Sequence, residues 1–181
     1  MSLTGCSAGE VVLSTTAVLR NNATTLGGGV HVDSGCVGLV VDGGEISDNT
    51  AGDGGGVGLG TASDLTLQSS LAVNRNEATG GTGGGVLAVT SGSADLAVVS
   101  CTFEDNTAAT FGGAIHVSGA GTAEVNGTTF TRSSSEEGGA VYGGSDLSLS
   151  FNVAVFTDCT ATSGTGSAVF TTGSRSSRYS Q

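Results

Sequence analysis

The chain has 181 residues, 33 of them Gly, with no Pro, no Trp and a formal net charge of −11 from 16 acidic residues against five arginines and no lysine. It is too apolar for a disordered chain and too poor in large side chains for an ordinary globular core. Its charge argues against nucleic acid and anionic membrane surfaces as partners, and no run of about eighteen apolar residues could form a membrane-crossing helix. The opening MSLTGCSAGEVVLS has no basic region followed by an apolar one, so no signal peptide is read there.

From residue 19 onward one cadence repeats. An apolar residue, two variable positions and a turn residue occur as LRNN at 19–22, ISDN at 46–49, VNRN at 73–76, FEDN at 103–106, FTRS at 130–133 and FTDC at 156–159. Each is followed by small residues, mostly Gly, and an apolar anchor: Val30, Val57, Val86, Ile115, Val141 and Val169, at steps of 27, 29, 29, 26 and 28 residues. A fixed period of this length marks a stacked repeat in which each unit borrows its neighbour to bury an apolar face. Within a unit, GVHV, DLTL, DLAVV and DLSLSF alternate with the period of two that half-buried strands require. The abundance of Gly, Thr and Val is poor helix chemistry. Three short strands per unit and about six units predict an all-β parallel β-helix. The glycines before each anchor let the chain turn where φ is positive. The reading assigns residues 1–172 to a single β-helix domain, a fragment of a longer solenoid, and residues 173–181 to a polar flexible tail. Its open ends invite further coils or self-association.

The pairing of F-x-x-N with G-G-A-I is intact in CTFEDNTAATFGGAIHV at 101–117. It resembles the repeats of the chlamydial polymorphic outer membrane protein family and, more broadly, right-handed β-helix repeats of the pectin-lyase-like class. The resemblance covers nearly the whole chain. It implies a right-handed solenoid and an adhesin-like passenger, secreted or exposed at the cell surface. Members of that family carry a C-terminal membrane barrel, and these residues contain none.

Stacked coils place equivalent residues about 4.8 Å apart, so columns read as contacts. Asn22, Asn49, Asn76 and Asn106 are expected to form a buried amide ladder that pins the register. Sugar on the sequon Asn22-Ala23-Thr24 would break that ladder, leaving Asn126 of Asn126-Gly127-Thr128 as the modifiable position in a chain secreted by a eukaryote. The preceding column reads Asn21, Asp48, Arg75, Asp105, Arg132 and Asp158, an alternating charge ladder. The position after each anchor should point outward, and Leu87, His116, Tyr142 and Phe170 would then form an exposed stripe able to hold a protein or glycan on a cell surface. Cys6 and Cys36, 30 residues apart, can face each other across one coil in a disulfide.

Enzymatic chemistry fits less well. Asp48 and Asp105, two coils apart, would lie at about 9.6 Å by strand spacing, against the roughly 6.5–9.5 Å of inverting glycosidases. The intervening Arg75, however, lowers a carboxyl pKa, the wrong direction for a general acid. A uronate lyase would want a basic group that a chain without lysine supplies poorly. Asp42, Glu45, Asp48 and Asp53 fit no calcium motif, and His31 and His116, about 14 Å apart by strand spacing, cannot share a metal. Thr50, Thr107 and Thr160 share a column that other residues interrupt, which is too irregular for ice binding. The expectation is a non-enzymatic adhesin-like or structural solenoid, extracellular or at the cell surface, without catalytic residues, metal or cofactor. The alternative is a polysaccharide lyase or glycoside hydrolase of the pectin-lyase-like fold.

Overall fold

The computed structural model describes residues 1–4, 6, 9–33, 36–60, 64–89, 94–173 and 176–180. Every helix or strand element among them is a β-strand, and all the strand pairs are parallel. The strands stack into three sheets that run the length of a β-helix.

The first sheet has seven strands and contains the anchors, from Ser2–Leu3 and Val30–Val32 through Val57–Leu59, Val86–Val89, Ile115–Ser118 and Val141–Gly143 to Val169–Thr171. Val30, Val57, Val86, Ile115 and Val141 are fully buried, in register one above another. Val169, in the last coil, is half-buried.

The second sheet has eleven strands because most coils pass through it in two segments. Glu10–Leu19 and Gly38–Ser47 run unbroken, whereas later coils divide, as in Gly121–Asn126 and Thr129–Thr131. The dividing residues Ser100, Gly127 and Val153 all have φ between 54° and 59°, a left-handed kink that bends the sheet around the core. Inside this bend stand the columns Leu39, Leu65, Leu96, Ala123, Leu149 and Val18, Ile46, Val73, Phe103, Phe130, Phe156. The rings of the last column stack at centroid distances of 5.1 Å for Phe103–Phe130 and 4.9 Å for Phe130–Phe156. One aliphatic or aromatic side chain per column per coil fills a thin core, each contributing about 1.5–3 kcal/mol by burial.

The third sheet has five short strands from Thr50–Ala51 to Thr160–Thr165, with Ala51, Ala78 and Ala108 pointing inward where the coil is narrow. Residues 176–180, expected in a tail, instead pair in parallel with 148–152 and extend the second sheet. The solenoid therefore continues past residue 172.

Candidate functional site

Two corners of the coil hold the residues that the sequence pattern singles out. At the turn from the second sheet to the third, Arg20, Asp48, Arg75, Asp105, Arg132 and Asp158 all adopt φ between 50° and 57°. The left-handed backbone at this position turns the chain, and the next side chain is buried at Asn49, Asn76, Asn106 and Ser133.

That next residue builds the amide ladder, whose first member is Asn21 and not the expected Asn22. Leu19 pairs with Ser47 and Asn22 bridges Thr50, so Asn21 lies opposite Asn49. Asn21 Nδ2 and its backbone N–H both donate to Asn49 Oδ1 at 2.9 Å. Asn49 Nδ2 donates to Asn76 Oδ1 at 3.0 Å and to Val18 O at 2.9 Å; Asn76 Nδ2 donates to Asn106 Oδ1 at 3.1 Å and to Ile46 O at 2.9 Å. Asn49, Asn76 and Asn106 are fully buried. The ladder stops at Ser133, which is equally buried and whose Oγ has no hydrogen-bond partner. Asn22 is exposed outside the ladder, as is Asn126, so the ladder gives no reason for sugar to discriminate between the two sequons.

The one-residue slip also places Arg20, not Asn21, at the head of the charge column. The column resolves into pairs rather than a continuous chain. Arg75 turns back to Asp48, with Nε–Oδ1 2.7 Å and Nη2–Oδ2 3.0 Å, and comes within 4.0 Å of Glu45. Arg132 does the same to Asp105 at 2.8 and 2.9 Å and adds a bond to Glu104. Asp158 forms no ion pair among the described residues. The guanidinium bonds hold the Asp48 and Asp105 carboxyls below the usual carboxylate range and push the arginines up. A general acid working near neutrality needs the opposite shift, and these carboxyls are held ionised instead. The paired groups are all substantially exposed, so solvent screening leaves each pair only a small contribution to stability.

The stripe Leu87, His116, Tyr142 and Phe170 does share one column on the outer face of the first sheet, as its pairing shows. It is not an exposed stripe, however. Leu87, His116 and Tyr142 are 6%, 8% and 9% exposed, and Phe170 is half-buried. The reason lies four residues before each anchor. There Leu26, Asp53, Thr82, Phe111, Glu137 and Thr165 form a second outer layer, in which Leu26 bridges Asp53, Phe111 bridges Glu137 and Glu137 pairs with Thr165. The following glycine folds this strap back over the sheet at φ of 59° to 67° in all six coils. A Cβ on Gly112 would sit 2.1 Å from Ile115 O, so only glycine fits so close an approach.

Phe111 is the residue that sequence reading overlooked. Its ring stacks on Tyr142 at 4.4 Å and meets His116 edge-on at 5.9 Å. His116 meets Tyr142 edge-on at 5.0 Å, and Tyr142 lies 5.5 Å from Phe170. Four rings therefore cluster outside the hydrophobic interior, with Phe111 and Phe170 half-exposed. The available signal was a large apolar residue recurring before the glycines, at Leu26 and Phe111, in a stretch that otherwise reads as a turn. His116 Nδ1 has no hydrogen-bond partner, and burial pushes the imidazole down to about 4, with Asp53 partly opposing.

Cys6 and Cys36 form a disulfide with Cα atoms 4.4 Å apart, as their one-coil separation predicts. Cys101 is a buried thiol whose pKa burial pushes up to about 11, and Cys159, the last member of the turn column, is half-buried.

The family model for right-handed β-helix regions matches residues 2–154. A right-handed parallel β-helix solenoid is thus the class this molecule defines. The chain belongs to the right-handed β-helix family, which fits the pectin-lyase-like fold. Comparison with curated proteins and with solved structures finds no match to either.

Proposed function

We propose that this chain is a non-enzymatic binding solenoid that works outside the cell or at its surface and holds a protein or glycan through the rings outside its first sheet. The observation that carries this reading is the Phe111–Tyr142–Phe170 cluster. The interior already has its own aromatic column, so these rings are not needed to fill the core, and they break an otherwise acidic surface of small polar residues. Aromatic faces stack on sugar rings and anchor protein interfaces. Three further features support the reading. The Cys6–Cys36 disulfide suits an oxidising compartment, the FEDN and GGAI motifs resemble those of surface passengers, and Asp48 and Asp105 are held ionised by arginines.

Replacing Phe111 and Phe170 together by Ser tests it on a glycan array and on cell surfaces. Binding should fall at least about tenfold, because truncating a hot-spot residue costs about 2 kcal/mol or more, while the coil stays folded by circular dichroism. Tyr142→Ser is a poor test, since Tyr142 is nearly buried and its loss would also cost stability. Turnover of an acidic polysaccharide by the parent protein, abolished by Asp105→Asn or Arg132→Ala, would overturn the proposal in favour of the lyase or hydrolase alternative.

A further inference from the structure

We propose that His116 makes the cover over this aromatic face acid-labile: protonation of its imidazole opens the strap carrying Phe111 and uncovers Tyr142. The inference rests on the binding role just proposed for the face, to which it adds regulation.

The strap is held by backbone bonds to the coils on either side: Thr110 N–H donates to Gly81 O at 2.8 Å and Gly112 N–H to Glu137 O at 3.1 Å, while Thr110 O, Phe111 O and Gly112 O accept from Glu137 N–H at 2.9 Å, Gly83 N–H at 2.8 Å and Gly84 N–H at 3.2 Å. Beneath it, His116 lies between Leu87 and Tyr142 in the sheet and against Phe111 in the strap. Neutral imidazole tolerates this setting, because an unpaired ring nitrogen among apolar neighbours costs less than an unpaired charge. The imidazolium has two N–H donors and a full charge, and Nδ1 has no acceptor within reach.

The ionisable groups around it do not compensate. Asp53, two coils earlier in the strap layer, attracts the cation, but its Oδ1 already accepts from the Thr82 N–H at 2.8 Å. Glu137 bridges Phe111 in the following strap, and Tyr142 offers a phenol ring edge-on. The favourable response to protonation is therefore to lift the strap and let water reach the ring.

The size of the effect follows from linkage. A group near 4 when covered and near 6.5 when uncovered favours the open strap about 30-fold more at pH 5 than at pH 7.5. Hydrogen exchange by NMR on the whole chain, corrected for intrinsic rates, reads this directly. Protection at Gly83, Thr110 and Gly112 should fall about 30-fold between pH 7.5 and 5, while Gly27, in the first strap, should hold its protection. His116→Phe should abolish the fall. An equal fall in His116→Phe, or no fall in the parent, overturns the inference. Should that variant fail to fold, the ring protons of His116 in the parent decide: strap exchange that tracks their titration supports the gate, and exchange that does not track it refutes the gate. Exchange needs no partner, so the two ideas fail separately. A closed strap leaves the aromatic binding face standing, and an opening strap with no binding lost in the Phe111 and Phe170 variants removes the binding role and leaves the gate.

Discussion

Asn76 uses all the bonding positions of its side-chain amide: two donors to Ile46 O and Asn106 Oδ1, and two acceptor sites filled by the Asn49 N–H and Nδ2. Asn76→Ala strands the buried Asn49 N–H and the Ile46 carbonyl, and should cost about 2–4 kcal/mol in urea unfolding. The converse change lies one coil past the ladder's end. Ser133→Asn would place an amide oxygen opposite Asn106 and replace an orphaned hydroxyl, and should raise stability by about 1 kcal/mol in the same measurement. His116 sets the pH response. Its folded pKa of about 4 lies below the ordinary 6.5, so the unfolded chain binds the proton first. Stability is intact above pH 6.5 and is lost as pH falls toward 4. Asp48 and Asp105 are also depressed, but from 3.8, so their contribution is lost only at still lower pH. Thermal melts between pH 7.5 and 4 should therefore show a decline in the parent that His116→Phe largely removes.

At the scale of one coil, the left-handed kinks and the straps decide the shape. Val153 occupies the second-sheet kink with φ 54°, where the coil before it has Gly127 and the one before that Ser100. A β-branched residue is the least suited to this backbone, and Val153 is also 59% exposed, so its side chain adds little packing. Val153→Gly should stabilise by about 1 kcal/mol, the usual excess cost of a left-handed residue bearing a Cβ, measured as a rise in denaturation midpoint. The anchors were legible in the sequence because the glycines mark them in each coil. The first turn was not: Val18-Leu19 and Asn21-Asn22 each offer two equivalent registers, and local pattern has no means of choosing. Pairing with the next coil chooses, burying Val18, leaving Leu19 36% exposed and so directing Asn21 to the ladder.

Across the whole molecule, each coil touches only its neighbours, and loss of order should begin at the ends. The Cys6–Cys36 bond ties the first coil to the second over 30 residues. A loop of that length constrains the unfolded chain by about 3–4 kcal/mol in the chain-entropy model. Reduction should therefore loosen residues 10–30 first, with exchange protection lost around Val11 and Val18 while the coils from Val86 to Leu149 keep theirs. Uniform loss of protection along the chain would show that the solenoid unfolds as one unit.

The amino-acid sequence by itself determined the repeat, the parallel β-helix, the buried anchors, the amide ladder beyond its first member, the alternating charges and the disulfide. These are properties of a column, and a period of 26–29 residues brings column members together without further information. Only the tertiary structure decided what covers the outside of the first sheet. Alternation told which side chains of a strand face away from the core, and Leu87, His116, Tyr142 and Phe170 do face away. Whether an outward face meets water depends on where the preceding turn goes, and positive φ at the glycines before the anchors brings each strap back across it. A two-residue period carries no record of that second layer, because Phe111 and His116 meet through a backbone reversal and not through the pleat.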